Sequence, residues 1–468
     1  MLFSSMIFLW GFLPIVLLSY YLAKEEYRNY ILLIASILFY AWGEPIYVLL
    51  MIFSIGCNYL LGLAISGTKN NTYRKIGVIF CIVINLGLLW YFKYSENCFL
   101  FVNKLVGKDI LVIRKIILPI GISFYTFQAM SYVIDLYRQE IPVQKNIMKL
   151  ALYISFFPQL IAGPIVKYKD INDQLERRCV SEEDMVYGIK RFIYGLGKKV
   201  LISNTVAAIA DKMFAVGVDT LGRNLTWFAV IMYTIQIYYD FSGYSDMAIG
   251  LGRMFGFHFL ENFNYPYISR SIKEFWRRWH MSLSGWFRDY VYIPLGGNRK
   301  GRLRTYINLS IVFMLTGIWH GASLNFLCWG VWHGFFIVLE RLGLEKVLEK
   351  NPLKIINHMY TLLIVGIGWA MFRCNSMNEA GSVLKVMVGS LPANGYVISN
   401  FVNYYDALII VFAILFCGIV QKIFPIISNK MKEENVDIME SALLICVLGL
   451  SIMALVSGAY NPFIYFQF

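Results

Sequence analysis

The histidines of this sequence are its best candidates for acid–base chemistry, because imidazole is the side chain that most readily exchanges a proton near neutral pH. His320 and His333 stand out, since both lie in the stretch 315–334, which has no charged residue. An ionisable group inside such an apolar stretch normally faces a bundle interior or a polar cavity, and indicates a functional site. His320 is therefore a candidate general base, and the alternative is a core histidine hydrogen-bonded to a carbonyl.

The two histidines do not have the spacing of a pair. On one straight helix of about 100° per residue, His320 and His333 would point nearly opposite ways, about 220° apart. His333 is therefore interpreted as a packed or hydrogen-bonded core residue. Neither His320 nor His333 has HxxxH or HxxE spacing, and the eight cysteines form no CxxC motif. The sequence predicts neither a metal site nor a disulfide framework.

The carboxylates add no second acid–base site. Asp240 and Asp246 would lie about 240° apart on a helix, which excludes a paired-carboxylate site. Either could accept a hydrogen bond from an imidazole or cap a helix. The sequence also has no GxSxG, GxGxxG or P-loop motif. One or two histidines without a nucleophile suit direct transfer, in which a base takes the proton of an acceptor hydroxyl that attacks an acyl donor.

His280 lies in a basic segment, 267–304, with nine cations and two acids, a net charge of +7. Phe275, Trp279 and Trp286 could share one helical face there, and 294–298 (PLGGN) must form a turn. The segment is either a cytoplasmic loop that touches anionic lipid or the mouth of a site for an anionic ligand, such as a phosphorylated cofactor. Charge alone does not separate these two interpretations.

Long apolar blocks must position these residues. Of the 468 residues, 58% are hydrophobic and 15% are charged, and the mean hydropathy is +0.58. Because 17–25 apolar residues span a bilayer as a helix, the blocks predict about 11 transmembrane helices in an all-α polytopic membrane protein. Shorter blocks could be re-entrant or interfacial. The net charge of +13 then indicates cytoplasmic loops near membrane lipid rather than a nucleic-acid partner.

The chain is expected to form one membrane domain, 1–468, with the basic segment 267–304 at the interface. It has no tandem repeat, no flexible linker and no stretch typical of a soluble domain. No Lys or Arg precedes the first apolar block, which we interpret as a retained helix and not a cleaved signal. Lys24 and Arg28 after that block predict an extracytoplasmic N-terminus.

Two motifs carry a resemblance to a known family. They are FNYPYISRSIKEFWRRWHMSLSGWFRDYVYIPLGGNR, which starts at Phe263, and LTGIWHGASLNFLCWGVWHG, which starts at Leu315. Further matching pieces are 1–22, 121–138, 156–168, 239–257 and 461–468. Together they resemble the membrane-bound O-acyltransferase (MBOAT) family, and most closely its bacterial alginate O-acetyltransferase-like branch. The resemblance covers essentially the whole chain.

The resemblance implies a helical fold around a central funnel that an acyl donor enters from the cytoplasm. The family's catalytic histidine corresponds to His320. A second histidine position of the family, in the motif that starts at Phe263, corresponds to His280, which would orient substrate or line the pore. Candidate substrate-binding residues in the same motifs are Trp319, Arg277, Arg278, Arg288, Asp289 and Asn298.

The predicted function is that of a multi-pass O-acetyltransferase of the bacterial cell membrane. It would move acetyl from a cytoplasmic thioester, acetyl-CoA, toward an extracytoplasmic polysaccharide, with no tightly bound cofactor. A separate extracytoplasmic acetyltransferase or another polysaccharide-modification protein is the expected partner. Three alternatives stay open: transfer like that of the teichoic acid D-alanyltransferases, a transporter or flippase in polysaccharide export, and a scaffold subunit.

Overall fold

Helices are the regular elements of the chain. The computed structural model describes residues 1–113, 116–161, 163–389, 394–425, 433, 436–458 and 460–464. Every regular element in this part of the chain is a helix, which confirms the predicted all-α class. The last four residues of the C-terminal motif 461–468 lie outside the described residues.

The α-helices are Leu13–Leu22, Glu25–Gly43, Tyr47–Gly67, Asn71–Lys93, Ser95–Val106, Ile122–Tyr137, Ile147–Ser155, Phe157–Leu160, Tyr168–Glu176, Glu182–Gly197, Asn204–Val216, Val218–Met254, Ile272–Arg278, Met281–Phe287, Arg302–His320, Leu324–Leu339, Glu345–Lys350, Lys354–Arg373, Met377–Val388, Tyr404–Ile414, Val420–Ile423 and Ile438–Val456. The π-helical turns are Phe8–Phe12, Lys198–Ser203, Arg288–Tyr292, Glu340–Leu344 and Leu415–Ile419. Short 3₁₀ turns are Pro266–Ile268 and Ile398–Asn400.

Several of these helices are long and apolar enough to cross a bilayer. Within the described residues there are six: Tyr47–Gly67, Asn71–Lys93, Leu324–Lys350, Lys354–Arg373, Tyr404–Ile423 and Ile438–Val456. Their most apolar windows have mean hydropathies of 1.2 to 2.3, and a shorter apolar segment covers Phe8–Leu22. The polytopic membrane class is thus confirmed, whereas the count of about 11 crossings stays a prediction.

The chain divides into two compact units. The first comprises residues 1–192 and 247–260, and the second comprises 193–246 and 261–468. In the first, the buried amides of Asn58 and Asn85 exchange two hydrogen bonds, at 3.2 and 2.9 Å. Such pairs stabilise contacts between membrane helices, because an apolar phase offers no other partner. The prediction of a single domain, 1–468, stays a prediction.

A tight helical hairpin in the second unit positions His320. The helices Arg302–His320 and Leu324–Leu339 approach so closely that a Cβ on Gly317 would lie 3.2 Å from the Gly330 Cα. A Cβ on Gly330 would lie 2.4 Å from the Phe313 carbonyl oxygen. Only residues without a side chain permit this backbone contact. His320 is the last residue of the first helix and so lies at the bend of the hairpin.

The helix Ile272–Arg278 is fixed at its N-terminus by two side chains. Ser271 caps it by accepting a hydrogen bond from the Glu274 N–H at 3.0 Å. The buried Glu340 carboxylate accepts hydrogen bonds from the N–H groups of Ile272 and Lys273, at 2.7 and 2.9 Å. A carboxylate is favourable here because the first N–H groups of a helix have no partner within the helix.

The aromatic residues of the basic segment do not share one helix. The first helix ends at Arg278 and the next begins at Met281. Phe275, Trp279 and Trp286 are nevertheless all buried, with at most 4% of each residue exposed. The predicted turn at 294–298 is present, with positive φ at both of its glycines.

Asp240 and Asp246 form ion pairs with two consecutive lysines of the π-helical turn Lys198–Ser203. Asp240 pairs with Lys199 at 2.5 Å, and both side chains are 1% exposed. Asp246 pairs with Lys198, also at 2.5 Å. Each carboxylate therefore neutralises one lysine, as expected for charges that lie deep in an apolar protein.

Candidate active site

His280 lies at the junction between two short helices of the basic segment. It is 1% exposed, and its backbone is left-handed, with φ 44° and ψ 54°. A residue with a side chain adopts this conformation at a cost, and such residues concentrate at functional sites. In this conformation the residue lies between the end of the helix Ile272–Arg278 and the start of the helix Met281–Phe287 instead of on a helix face.

One buried asparagine binds the imidazole. The His280 Nδ1 atom lies 3.0 Å from the side-chain oxygen of Asn262. Ser282 donates to the same oxygen from its backbone N–H, at 3.3 Å, and from its hydroxyl, at 2.9 Å. Burial lowers the pKa of His280 to about 3, so that the ring is neutral at physiological pH.

Aromatic rings enclose His320 at the bend of the hairpin. Its ring centre lies 4.8 Å from that of Trp319, 5.1 Å from that of Trp329 and 5.1 Å from that of Phe372. The residue is 5% exposed. Trp319 also lies 6.3 Å from the ring of His280, so this predicted site residue is close to both imidazoles.

His333 is on a different helix from His320, so the single straight helix assumed for their spacing does not exist. The chain breaks after His320 and resumes as the helix Leu324–Leu339. The His333 ring lies 5.1 Å from Trp329 and 5.0 Å from Trp276, fully buried. The two histidines thus contact a common indole, Trp329.

A cavity of about 630 Å³ opens beside His280. Its wall is formed by Lys273, Trp276, Arg277, His280, Leu283, Ser284, Phe287, Arg288, Tyr292, Leu309, Val312, Phe313, Thr316, Ile337, Arg341 and Glu345. Four of these residues are cations and one is an acid. Thr316, one turn before His320, brings the same helix to the cavity wall. The cavity combines an apolar wall with a cationic region, which suits an elongated ligand with an anionic end.

A second cavity, of about 260 Å³, shares part of this wall. Lys273, Arg277 and Glu345 line both cavities. Lys273 and Glu345 form an ion pair at 2.5 Å. The shared wall therefore contains two cations, one of which is held by a carboxylate.

The predicted cations of the basic segment have different surroundings. Arg277 and Arg288 line the larger cavity. Arg278 instead pairs with Glu274 at 3.0 Å and donates to the Asn264 carbonyl at 3.0 Å. The structure therefore brings two of the three predicted arginines to the cavity.

The remaining predicted residues lie near the end of the basic segment. Asp289 accepts a hydrogen bond from Arg288 at 2.8 Å, and this bond raises the pKa of the guanidinium above its ordinary value. Asn298 is exposed in the turn that follows. The Asp289 carboxylate thus orients Arg288, whereas Asn298 contributes a polar group at the surface.

Sequence reasoning missed several residues that surround the two imidazoles. Asn262 lies 18 positions before His280, far outside the i+3 and i+4 range in which residues of one helix are neighbours, so no pattern links them. Trp329 and Phe372 come from two other helices. Trp329 lies inside the motif 315–334, and this position could have marked it as a site residue. Its contact with His320, however, depends on the bend at Gly321.

Comparisons with known proteins identify the family of the chain. The family model of MBOAT, the membrane-bound O-acyltransferase family, matches residues 87–354. The chain is 39% identical over 497 residues to the alginate O-acetylase AlgI of Pseudomonas putida, covering 100% of both chains. It is 32% identical over 517 residues to the peptidoglycan O-acetyltransferase of Helicobacter pylori, covering 100% of this chain and 98% of that one.

A more distant relative is the teichoic acid D-alanyltransferase of Bacillus subtilis. The chain is 31% identical to it over 217 residues, which cover 44% of this chain and 54% of the relative. The family match contains both His280 and His320. The chain is an O-acyltransferase and a multi-pass protein of the bacterial inner membrane. It belongs to the membrane-bound O-acyltransferase family, in the branch of the alginate O-acetylases.

Proposed function

We propose that this enzyme moves an acetyl group from a cytoplasmic thioester, acetyl-CoA, toward an extracytoplasmic polysaccharide, with His320 as the general base. The observation that carries the proposal is the 630 Å³ cavity, whose wall includes His280 and the cations Arg277 and Arg288. An acyl-CoA has an anionic phosphate end and an apolar, amide-containing arm, and these match the cationic and apolar parts of the wall.

The proposed step is a direct acyl transfer. His320 takes the proton of an acceptor hydroxyl while that oxygen attacks the thioester carbonyl carbon. The resulting tetrahedral oxyanion collapses, the carbon–sulfur bond breaks, and the thiolate leaves as CoA after receiving the proton from His320. A positioned base contributes about 10²–10⁴ to the rate of such a step.

The other candidate residues have supporting roles in this proposal. His280 and Trp319 orient the substrate beside His320. Arg277 and Arg288 bind the donor phosphates, and Asp289 holds the Arg288 guanidinium in place. Arg278, which is bound to Glu274 and the Asn264 carbonyl, stabilises the basic segment instead of binding the donor, and Asn298 lies at the mouth of the site. No tightly bound cofactor takes part in this scheme.

The acceptor is proposed as an exported polysaccharide, because the full-length relatives are named for alginate and for peptidoglycan. This chain would then deliver acetyl to a separate extracytoplasmic acetyltransferase or act on the polymer beside one. The D-alanyl alternative has support from a match over less than half of the chain. Glycan acetylation is therefore the better supported reaction.

The test is to measure O-acetyl ester in exopolysaccharide and in cell-wall glycan of a deletion strain. The strain is complemented with wild type, His320→Ala or His258→Ala at matched membrane levels. His258 is the control because it lies elsewhere, with 49% of its side chain exposed. Wild type and His258→Ala should restore the ester, and His320→Ala should not.

If His320→Ala restores the ester as well as wild type does, the acyltransferase role of His320 is wrong. Another group would then have to take the proton of the acceptor hydroxyl. Recovery of D-alanyl ester without acetyl ester would instead favour the teichoic acid alternative.

A further inference from the structure

Asn262 forms bonds with both the side chain and the backbone around His280. It is completely buried and lies in the segment between the helix Val218–Met254 and the turn Pro266–Ile268. Its side-chain oxygen lies 3.0 Å from His280 Nδ1, and its backbone oxygen accepts from the Met281 N–H at 3.0 Å. One residue therefore fixes both the imidazole and the strained backbone that carries it.

The hydrogen bonds of Ser282 show which tautomer His280 adopts. A backbone N–H can only donate, so the Asn262 atom that receives the Ser282 N–H is the oxygen and not the amide nitrogen. An amide oxygen can only accept, and His280 Nδ1 must therefore carry a hydrogen. In a neutral imidazole the other nitrogen, Nε2, is then an acceptor with a free lone pair.

The surroundings of Nε2 favour this neutral form. The atom is buried and has no hydrogen-bond partner among the described residues. The charged groups on the same cavity wall are Lys273, Arg277, Arg288, Arg341 and Glu345. Four cations and one anion disfavour a further positive charge on the ring. Phe241 packs edge-on against the imidazole, with ring centres 4.7 Å apart, and adds no charge.

We propose that Asn262 is a positioning residue for acyl transfer, which holds His280 as the Nδ1–H tautomer so that Nε2 accepts a hydrogen bond from an N–H or O–H group of the bound substrate. This inference rests on the proposed function. The assignment has a chemical consequence: a neutral His280 has no hydrogen on Nε2 and does not stabilise the oxyanion as a donor. That charge must be stabilised by other groups.

The tautomer itself can be measured without an activity assay. Full-length protein with ¹⁵N- and ¹³C-labelled histidine is placed in lipid bilayers, and solid-state NMR is recorded at pH 7. The His280 signals, identified by their loss in His280→Gln, should show a protonated Nδ1 and an unprotonated Nε2. Asn262→Ala should abolish this fixed pattern. Ser282→Ala removes the hydroxyl bond to the same oxygen and a 3.5 Å contact of that hydroxyl with His280 Nδ1, but it leaves the Asn262 oxygen in place and should keep the pattern.

An Nε2–H tautomer in wild type, or an unchanged pattern in Asn262→Ala, would overturn the inference. This outcome is independent of the proposed function, because it requires no turnover. Conversely, transfer activity that survives in His320→Ala would refute the proposed function and leave the tautomer assignment standing.

Kinetics with acetyl-CoA as the probe separate positioning from folding. Asn262→Ala should lower kcat by about 10–10²-fold, by analogy with the loss of a group that orients a metal-binding histidine. Asn262→Asp keeps the accepting oxygen but adds a negative charge, so it should retain activity at high pH and move the acid limb of the profile upward. A purely structural role would lower the amount of folded protein and leave the pH profile where it is.

The same kinetics identify the substrate group that His280 contacts. A raised KM for acetyl-CoA in Asn262→Ala indicates an amide N–H of the donor arm. A lower kcat with an unchanged donor KM indicates a hydroxyl of the acceptor next to the one that reacts. Both results support the proposal, whereas unchanged kcat and KM would contradict it.

Discussion

Lys273 and Glu345 form a 2.5 Å ion pair on the wall that the two cavities of the active-site region share. The pair joins the helix Ile272–Arg278 to the helix Glu345–Lys350. Both side chains are partly exposed, at 39% and 32%, so a ligand phosphate can compete with the carboxylate for the ammonium group. The Glu345 carboxylate thus binds an ammonium group that would otherwise be available to a phosphate of the donor.

Glu345→Gln should therefore tighten donor binding. We expect the KM for acetyl-CoA to fall by about 3–10-fold, since a charge-assisted hydrogen bond to phosphate no longer has a competitor. The matched control is Glu349→Gln, which makes the same charge change on the smaller cavity without releasing Lys273. An equal effect of both variants would indicate general electrostatics instead of this ion pair.

Arg277 and Arg278 are adjacent in sequence but should differ in function. Arg277 lines both cavities, whereas Arg278 is bound to Glu274 and the Asn264 carbonyl. Arg277→Gln should raise the KM for acetyl-CoA by about tenfold or more and change kcat less, because a guanidinium–phosphate bond contributes about 1.5–3 kcal/mol.

Arg278→Gln is the control for that experiment. It removes the same charge one position away, so it should lower thermal stability slightly and leave the donor KM nearly unchanged. Steady-state kinetics in proteoliposomes give both constants. If the two variants raise KM equally, the cavity does not distinguish the two arginines and their total charge is what matters.

Trp329 is expected to limit the length of the acyl group. Its ring lies 5.1 Å from His320 and fills space next to the proposed base. Trp329→Ala should raise the use of butyryl-CoA relative to acetyl-CoA by about tenfold or more, because each methylene in an apolar pocket changes discrimination by about 1–3 kcal/mol. Competition between the two thioesters measures the ratio.

Trp332→Ala is the matched control, since it removes the same volume from the same helix. Trp332 donates to the Ile364 carbonyl at 3.0 Å and packs against a core that includes Ala370 and Met371. Its loss should lower stability without changing acyl preference. A similar change of preference in both variants would mean that loosened packing, and not the wall beside His320, sets the acyl length.

The stability of the protein should fall in mild acid because of His280. Its folded-state pKa is about 3, below the ordinary value of 6.5, and the cause is burial. Below pH 6.5 the unfolded chain therefore binds a proton that the folded chain does not. The free energy of unfolding falls as the pH drops from 6.5 toward 3, by about 2 kcal/mol between pH 6.5 and 5.

Melting temperatures of wild type and His280→Gln test this dependence. Between pH 7.5 and 5.0 the variant should lose less stability than wild type, because it lacks the group that takes up the proton in the unfolded state. Between pH 7.5 and 9 the two curves should run in parallel. Parallel curves over the acid range as well would contradict the buried, neutral state of His280.

The sequence by itself determined the class of the protein and the histidines to consider. Long uncharged blocks require a helical membrane protein, because a bilayer offers no partner for free backbone groups. The position of His320 in an apolar stretch made it a candidate base, and the motif around it indicated the family. These are local properties, because each of them depends only on residues that are consecutive in the chain.

Only the tertiary structure decided which other groups surround those histidines. Asn262 reaches His280 across 18 positions, and Trp329 reaches His320 because the chain reverses at Gly321. The different surroundings of Arg277 and Arg278 likewise follow from which helix each side chain meets. Periodicity describes one element at a time, whereas an active site is built where several elements meet, and that packing has no local signature.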